Sequence, residues 1–372
     1  MIVKTSYSED DVVILLKDLT DKMQPLSTSE REKLIQSGVH YSEMLPEEKA
    51  PSDEYMKLYE RALNDKKKDI AECIARVSEL IVNKADGSEP ILVSLARAGI
   101  PVGILIKRFI KFKYKIDCEH YAISIIRDKG IDLNAMNFIY SEEIEKNRKP
   151  VSNIFFIDGW TGKGAIKNQL IESVETLRSI DRKWADLSDD LYVLADSANV
   201  TPFFGTREDY LLPTACLNST VSGLTSRTIL NKFIDTEKGD FHGAVYFSQF
   251  ESIDKSNEFI DTITKEFAEL GETIQCSEVQ STSNDGMQIV NKICQEFDIA
   301  DYKKVKPGIG ETTRVLLRRM PWKVLIDNSV SMDDNDIEHI VMLCNDKHIP
   351  IERYDLGNYK VCGIIKELSA DA

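Results

Sequence analysis

The sequence predicts an α/β fold with a parallel sheet at its core, a helical region before the sheet and a smaller α/β domain after it. Three observations predict this arrangement. A fully apolar segment, Ile154–Ile157, leads into Asp158, a glycine-rich turn and a helix. An earlier apolar segment, Ile91–Val93, precedes a second turn of similar character, and residues 303–354 alternate between helical and strand patterns.

The composition is that of an ordinary globular protein. Of 372 residues, 42% are hydrophobic and 29% are charged, and this length predicts two or three domains. The sequence has neither an apolar stretch long enough to span a membrane nor a secretory leader, so we expect a cytoplasmic protein with no membrane partner. Seven cysteines without CxxC spacing indicate neither a disulfide framework nor a zinc site, and we expect no direct metal ligand.

The first 80 residues are expected to be mainly helical. Ser8–Leu19 suggests a helix with Ser8 as its N-cap and acidic residues in the first turn. Met56–Val82 carries apolar residues at helical spacing, which predicts a long helix packed against the sheet.

The segment Ile154–Lys167 predicts a phosphate-binding site. A strand that ends in Asp158 and turns into a helix near Ala165 presents backbone N–H groups that bind anions, and the carboxylate suits sugar hydroxyls or a Mg²⁺ carried by the ligand. A nucleoside triphosphate loop is excluded because Lys163 is followed by Gly164. The expected phosphate-binding residues of this turn are Gly159, Thr161, Gly162, Lys163, Gly164 and Ala165.

This turn resembles the phosphoribosyl pyrophosphate (PRPP) loop of type I phosphoribosyltransferases, whose core is a Rossmann-like parallel sheet. Ser94–Gly103 looks like the pyrophosphate loop of that family, and His120–Asp132 resembles its strand and mobile loop. The residues of the first loop that would bind pyrophosphate are Ser94, Ala96, Ala98 and Gly99. The family usually has two adjacent acids before the loop, whereas here Asp158 is followed by Gly159.

The resemblance implies a PRPP-dependent glycosyl transfer at the ribose C1 carbon with release of pyrophosphate. It implies Mg²⁺ bound with PRPP, an unknown nucleobase-like acceptor, and Asp158, Arg97 and Arg127 as catalytic residues. A wall for the substrate is expected from a Ser/Thr-rich segment and one lysine. These wall residues are Lys129, Asn218, Ser219, Thr220, Ser222, Ser226 and Arg227. The same segment equally fits a capped helix start.

The C-terminal part is locally basic although the whole chain has a net charge of −15. From Lys303 to Lys323 there are seven basic residues and a single acid, Glu311. The order of helices and strands, and the loop that begins at Gly308, resemble the Pelota and L7Ae/L30e RNA-binding domains, which are α/β sandwiches. The RNA-binding residues implied by this resemblance are Gly308, Gly310, Glu311, Thr313, Arg314 and Arg318.

Gly310 stands where the RNA-binding family has an Asn that reads a base, so we expect binding to structured RNA through its backbone and not to a standard kink-turn. The alternative is a domain used for dimerisation or protein contact. The expected boundaries are 1–80 for the helical region, 81–275 for the transferase-like domain and 283–372 for the RNA-binding domain.

The combination resembles a bacterial family associated with tellurite-resistance stress operons, which is also labelled as StiP-type cysteine proteases. This resemblance implies synthesis or salvage of a nucleoside-like product in a stress response, and type I relatives suggest a homodimer. One alternative is a non-catalytic sensor in which PRPP or a nucleotide regulates RNA binding. A second is a cysteine hydrolase that uses Cys216, which would need one of the chain's five histidines nearby.

Overall fold

The computed structural model describes residues 1–270, 282–283, 285–319 and 321–365. The expected boundaries at 275 and 372 lie outside these residues. The elements before the central strands are β1 Val13–Ile14, β2 Lys17–Asp18, β3 Pro25–Leu26, α1 Thr28–Gln36, β4 Leu45–Pro46 and α2 Asp53–Ala85.

The central part of the chain alternates between strands and helices. Its first elements are β5 Ile91–Ala96, α3 Gly99–Tyr114, β6 Glu119–Ile126, β7 Gly130–Ile131, α4 Leu133–Ile139, β8 Ile154–Trp160 and α5 Ala165–Ile180. They are followed by β9 Leu191–Ala195, β10 Phe203–Thr206, α6 Pro213–Cys216, β11 Gly243–Ala244 and α7 Ser256–Glu266.

The main sheet has the strand order β1-β6-β5-β8-β9-β10, and all neighbours in this order are parallel. The short β7 pairs antiparallel with β6. The expected α/β fold with a parallel sheet core is therefore confirmed. In this arrangement the carboxyl ends of β5, β6 and β8 meet at one edge of the sheet, where ligands of open α/β sheets commonly bind.

Both faces of the sheet are covered, which explains why β8 is apolar without alternation. Phe155 and Ile157 pack with the core formed by α2 and α3, whereas Ile154 and Phe156 pack with the core formed by α4 and α5. The long helix expected over Met56–Val82 is confirmed as α2.

The N-terminal region differs from the expectation. Ser8–Leu19 forms a turn followed by β1 and β2, and Val13 pairs with Tyr121 of β6. The prediction of a helix capped by Ser8 is wrong, because Val12, Ile14 and Leu16 are buried in one core and Leu15 in the other, as in a strand that is covered on both faces. A β-branched apolar run of this kind fits a strand better than a helix.

The C-terminal domain, residues 285–365, forms a second sheet. Its elements are α8 Asp285–Glu296, β12 Val305–Pro307, α9 Ile309–Arg318, β13 Pro321–Asp327, α10 Glu338–Asp346, β14 Ile351–Tyr354 and β15 Val361–Ile365. The strand order is β12-β15-β13-β14, in which only β13 and β14 are parallel. The alternation of helical and strand patterns expected over residues 303–354 is present as α9, β13, α10 and β14. Across the described ranges, no helix is long and apolar enough to cross a membrane.

Candidate functional site

A cavity of about 250 Å³ opens at the carboxyl edge of β5 and β8. Its walls come from the β5–α3 turn, the end of β8, the start of α5, the segment around α6 and one arginine of α9. The lining residues are Leu95, Ala96, Arg97, Ala98, Pro101, Ile125, Asp158, Trp160, Ile166, Thr214, Leu217, Asn218, Val221, Ser222 and Arg314. Asp158, Arg97, Ala96 and Ala98, which were singled out on separate segments of the sequence, thus meet around one cavity.

The β5–α3 turn is shaped by close backbone packing. A Cβ atom on Gly99 would lie 2.3 Å from the Ile157 carbonyl oxygen, so only glycine lets α3 start this close to β8. The buried Ser94 hydroxyl donates to the Gly99 carbonyl at 2.9 Å and is hydrogen-bonded to His120 Nε2 at 2.7 Å. Ser94, which was expected to bind phosphate, therefore stabilises the turn through its hydrogen bonds to Gly99 and His120.

Asp158 is the acidic group of the cavity. Its side chain is buried, and its Oδ1 accepts a hydrogen bond from the Gly159 N–H at 2.7 Å. Burial raises the pKa of this carboxyl to about 7, and the Gly159 hydrogen bond only partly opposes the shift. Asp158 can therefore take up or release a proton near neutral pH.

Arg97 is tied to the Ser/Thr-rich segment. Its Nη1 donates to the Thr225 carbonyl at 2.8 Å and lies 3.5 Å from Glu48 Oε2. Glu48 Oε1 accepts hydrogen bonds from both the N–H (2.7 Å) and the hydroxyl (2.5 Å) of Ser219. This network fixes the guanidinium of Arg97 at the cavity wall.

The wall residues expected from the Ser/Thr-rich segment are placed unevenly. Asn218 and Ser222 line the cavity. Ser219, Thr220 and Ser226 are buried and do not line it. Ser226 Oγ accepts from the Val245 N–H at 2.9 Å, which is a structural role.

The glycine-rich turn is shorter than expected because β8 continues through Trp160. The Thr161 hydroxyl donates to the Asp196 carboxylate, and the Thr161 N–H donates to the Ala195 carbonyl at 3.0 Å. Gly164 adopts a φ of 83° at the N-cap of α5, where a Cβ would lie 2.9 Å from Val200. Ala165 then begins the helix.

The tip of this turn contacts the C-terminal domain. The Gly162 carbonyl accepts a hydrogen bond from the Tyr359 hydroxyl at 2.7 Å. Lys163 Nζ donates to the carbonyls of Tyr302 (2.9 Å) and Val305 (2.8 Å). Burial, aided by the charge of Lys306, lowers the pKa of Lys163 to about 8. The lysine expected to bind phosphate instead joins the two parts of the chain.

The expected RNA-binding loop at the start of α9 faces the same interface. Gly308 has a φ of 92°, and the following Ile309 N–H donates to Asp209 Oδ1 at 2.9 Å. Asp209 Oδ2 accepts from the Lys360 N–H at 2.9 Å. Burial raises the pKa of Asp209 to about 6 in spite of these hydrogen bonds. A Cβ on Gly310 would lie 3.1 Å from the Ala215 Cβ of α6.

Arg314 connects this loop to the cavity. Its guanidinium lies 4.8 Å from the centre of the Trp160 ring, and its Nη1 lies 3.4 Å from Glu311 Oε1. Burial opposes ionisation of Glu311, but the charges of Arg314, Lys306 and Lys163 outweigh it and hold the pKa of that carboxyl below its usual range.

The other residues expected to bind RNA are placed differently. Thr313 is buried, and its hydroxyl donates to the Ile309 carbonyl at 2.7 Å and is hydrogen-bonded to His339 Nε2 at 2.8 Å. Arg318 is the last residue of α9, and its side chain lies outside the described part of the structure.

Arg127 and Arg227 meet at the ring of Tyr41. Their guanidinium carbons lie 6.0 Å and 5.3 Å from the ring centre, respectively. Arg227 also donates to the carbonyls of Tyr41 (2.6 Å) and Met44 (3.2 Å), while the Arg127 N–H donates to the Tyr41 hydroxyl at 3.0 Å. Lys129 is exposed in the turn between β6 and β7.

Cys216, the candidate nucleophile of the hydrolase alternative, is the last residue of α6 and is fully buried. Its neighbours Thr214 and Leu217 line the cavity. The hydrogen bonds of the buried histidines lead elsewhere: His120 to Ser94 and Asp11, His242 to Ser124, and His339 to Thr313. Within the described residues, no group of three or more His, Cys, Asp or Glu side chains could hold a metal ion.

Comparison with known proteins identifies the family. Residues 5–264 match the family described as "Tellurite-like stress resistance cysteine protease StiP". The chain belongs to the StiP family. It is also 32% identical over 376 residues to "Cysteine protease StiP" of Acinetobacter baylyi (strain ATCC 33305 / BD413 / ADP1), a match that covers 98% of this chain and 94% of that protein. Residues 284–367 match the PELOTA RNA binding domain.

These matches correct the main functional prediction. The StiP family and the Acinetobacter relative are both named as cysteine proteases, so the prediction of a PRPP-dependent phosphoribosyltransferase is wrong. The transferase prediction depended on two turns that any parallel α/β sheet can form, and in this StiP protein one of them serves as a domain contact. The predicted link with tellurite-type stress resistance and the predicted Pelota domain are confirmed.

Sequence reasoning missed two buried acids near the site. Asp196 follows β9 directly, as Asp158 follows the apolar part of β8, and this repeated pattern was visible in the sequence. It accepts hydrogen bonds from the backbone N–H groups of Val200 and Thr201, both at 3.0 Å. Asp209 lies in an irregular segment, and no local pattern reveals that it contacts the start of α9.

Proposed function

We propose that this StiP protein is a cysteine-dependent peptidase whose reaction takes place in the cavity beside Asp158. The observation that carries the proposal is the family match over residues 5–264, because this range includes every cavity-lining residue except Arg314. In such a reaction a thiolate attacks the peptide carbonyl carbon, the C–N bond breaks and the amine leaves with a proton. Water then hydrolyses the thioester and restores the thiol.

Cys216 is the nucleophile that we propose. It lies between Thr214 and Leu217, which both line the cavity, although its own side chain packs into the core with α2. Attack on a substrate therefore requires α6 to turn its last residue toward the cavity. This helix has only four residues, so few backbone hydrogen bonds oppose such a turn.

Asp158 is the group that we propose as proton acceptor. A general base works best when its pKa lies near the working pH, and the pKa of Asp158 is about 7. Arg97 and Arg314 lie on the same cavity and supply positive charge for the oxyanion that forms on the substrate carbonyl.

The test is peptide turnover by purified protein with Cys216→Ser and Cys216→Ala variants, measured on a quenched fluorescent peptide library. We expect both variants to lose at least 100-fold in turnover, on the order of what removing a covalent nucleophile costs, because neither hydroxyl nor methyl replaces the thiolate. Cys344→Ser is the matched control, since Cys344 is an equally buried cysteine in α10 of the other domain. Thermal melting of all three variants separates loss of chemistry from loss of fold.

Full activity in Cys216→Ser would remove Cys216 from the proposal. Alkylation by iodoacetamide in the presence and absence of a peptide substrate supplies a second readout. Protection of Cys216 by the substrate is expected, and labelling that the substrate leaves unchanged would contradict the assignment of the cavity.

We also propose that residues 284–367 bind RNA, because the family that they match is described as an RNA-binding domain. The basic residues of this part and the stacking of Arg314 on Trp160 support phosphate and base contacts. Binding of a fluorescein-labelled hairpin RNA to the full chain, followed by fluorescence anisotropy, tests this proposal. Absence of binding at low salt would contradict it.

A further inference from the structure

Five basic side chains form a band across the boundary between the StiP match and the Pelota match. We call this band the basic belt. Its members are Arg97, Arg127, Arg227, Lys306 and Arg319. Arg97 follows β5, Arg127 follows β6 and Arg227 lies in the Ser/Thr-rich segment, whereas Lys306 in β12 and Arg319 after α9 belong to the C-terminal domain.

The belt is continuous in space. Arg127 and Arg227 lie against the same Tyr41 ring. Burial, then the charge of Arg31 and more weakly those of Arg97 and Arg319, lower the pKa of Arg227 to about 10. Burial and the charges of Arg127 and Arg319 likewise lower the pKa of Lys306. Arg97 donates to the Thr225 carbonyl, two residues before Arg227, and Arg97 and Arg314 line the same cavity. Arg314 and Lys306 both lie within 4 Å of Glu311, which links this group of basic residues to the C-terminal domain.

The positive charge of the belt is only partly neutralised. Glu48 lies 3.5 Å from Arg97, and Glu311 lies 3.9 Å from Lys306. Among the described residues, Arg127 and Arg227 make no ion pair, and the Nε atom of each is buried without a hydrogen-bond partner. A concentration of like charges is costly, and in a chain with a net charge of −15 it indicates a site for an anion.

The anion that fits best is the phosphate backbone of RNA. Two belt members lie within the range that matches the Pelota domain, so the belt is a direct extension of the proposed RNA-binding surface. Arg314 on the Trp160 ring lies next to the belt and offers a flat surface for base stacking. A row of arginines beside a stacking platform is how proteins hold single strands and RNA loops.

We propose that RNA bound by the Pelota domain continues across the basic belt, so that Arg127 and Arg227 of the StiP domain contact its phosphates. The inference rests on the proposed RNA binding by residues 284–367. It extends the binding surface onto residues of the StiP domain. Because Arg97 also lines the cavity, RNA on the belt lies beside the cavity mouth.

The test compares the full-length protein with single variants in binding to a labelled hairpin RNA and a labelled single-stranded RNA over a series of KCl concentrations. Arg127→Gln is the principal variant, because its backbone N–H still donates to the Tyr41 hydroxyl and the fold should be retained. Arg227→Gln and Arg319→Gln are the second and third variants. Lys238→Gln is the matched control, since it removes an equal charge from a side chain that is 83% exposed and whose ion pair is with Asp235, which is not a member of the belt.

We expect each belt variant to weaken binding and to reduce the slope of log affinity against log salt by about 0.7 for the single strand, the value for one lost phosphate contact. Lys238→Gln should leave both quantities unchanged. Melting temperatures of all variants show whether the loss of the Arg227 contacts to Tyr41 and Met44 affects folding.

The outcomes separate the two proposals. If RNA binds but Arg127→Gln and Arg227→Gln behave like Lys238→Gln, the belt inference is overturned while RNA binding by the Pelota domain stands. If the unaltered protein binds neither RNA, both proposals fail. If a polyglutamate peptide binds at the belt and RNA does not, the partner is an acidic protein segment, and the inference is overturned in favour of that partner.

Discussion

Asp158 illustrates how one residue acquires its chemistry from its surroundings. In water its carboxyl group would be ionised at neutral pH, but at the end of β8 it is buried and accepts a single backbone hydrogen bond. The pKa of this carboxyl is raised from an ordinary value of 3.8 to about 7. At a pH between these two values, Asp158 keeps its proton in the folded protein and loses it in the unfolded chain.

This shift predicts a pH dependence of stability. Because the folded pKa is raised, the contribution of Asp158 is fully present below about pH 4 and is lost as the pH rises through about 7. At most, on the order of 4 kcal/mol is involved, from about 1.4 kcal/mol per pKa unit. We expect Asp158→Asn to flatten the decline in the free energy of unfolding between these values, measured by urea denaturation.

Asp186→Asn serves as the control, since Asp186 is an exposed acid outside the cavity. Asp209, whose pKa is about 6, contributes a decline of the same sign in all three proteins and does not affect the comparison. Identical pH profiles for Asp158→Asn and the unaltered protein would show that Asp158 is ionised in the folded state.

At the scale of elements, the site depends on how closely α3 approaches β8. Gly99, the first residue of α3, leaves no space for a side chain against the Ile157 carbonyl, so the helix can start directly above the strand. This contact sets the position of Arg97 and Ala98 at the cavity wall.

We therefore predict that Gly99→Ala destabilises the protein by roughly 1–3 kcal/mol, the usual cost of overpacking, and reduces peptide turnover. Gly162→Ala is the matched control in the neighbouring turn, because its Cβ would meet no atom closer than Glu311 Cγ at 4.0 Å. Urea denaturation of both variants measures the difference. Equal stability of the two would mean that α3 can shift away from β8 at little cost.

The elements that sequence reasoning found are those with a strong local pattern. The apolar run before Asp158 and the periodic apolar residues of α2 can be recognised in the sequence, because burial on two faces or on one face determines which positions are apolar. Ser8–Leu19 was misread because acidic residues after a serine are typical of helix starts, whereas the pairing of Val13 with Tyr121 is a contact between distant segments.

The candidate site was predictable in part for the same reason. Asp158 lies near the carboxyl end of β8, Arg97 and Ala98 follow β5, and such positions meet at one edge wherever a parallel sheet forms. The role of Lys163 was not predictable, since its partners Tyr302 and Val305 lie about 140 residues away in the chain. The activity of the family could likewise not be predicted from the two turns, because proteins of one fold carry out many different functions.

At the scale of the whole molecule, the StiP domain and the Pelota domain are joined by buried and half-buried polar contacts. Asp209 accepts hydrogen bonds from Ile309 and Lys360, and the Tyr359 hydroxyl donates to the Gly162 carbonyl. These contacts hold α9 so that Arg314 completes the cavity and Glu311 lies next to Gly162.

We predict that Asp209→Ala weakens the contact between the two domains, because it leaves the buried N–H of Ile309 without an acceptor, at a cost of roughly 1–3 kcal/mol, and also removes the acceptor of the half-buried Lys360 N–H. Hydrogen exchange of the Ile309 and Lys360 amides should accelerate, while amides of β5 and β8 should be unaffected. Asp209→Asn retains one carbonyl oxygen and is the conservative control. Unchanged exchange at Ile309 in Asp209→Ala would show that α9 is held by other contacts.

The strand order of the C-terminal sheet sets the time at which the molecule becomes complete during synthesis. β15, Val361–Ile365, lies between β12 and β13 and pairs with both, so that sheet cannot close until residue 365 has left the ribosome. The parallel sheet of the StiP domain ends at β10 and can fold earlier, since domains fold as units during translation. A nascent or truncated chain would therefore have Asp158 and Cys216 in place before Arg314 is seated, and the finished cavity belongs only to a fully translated protein.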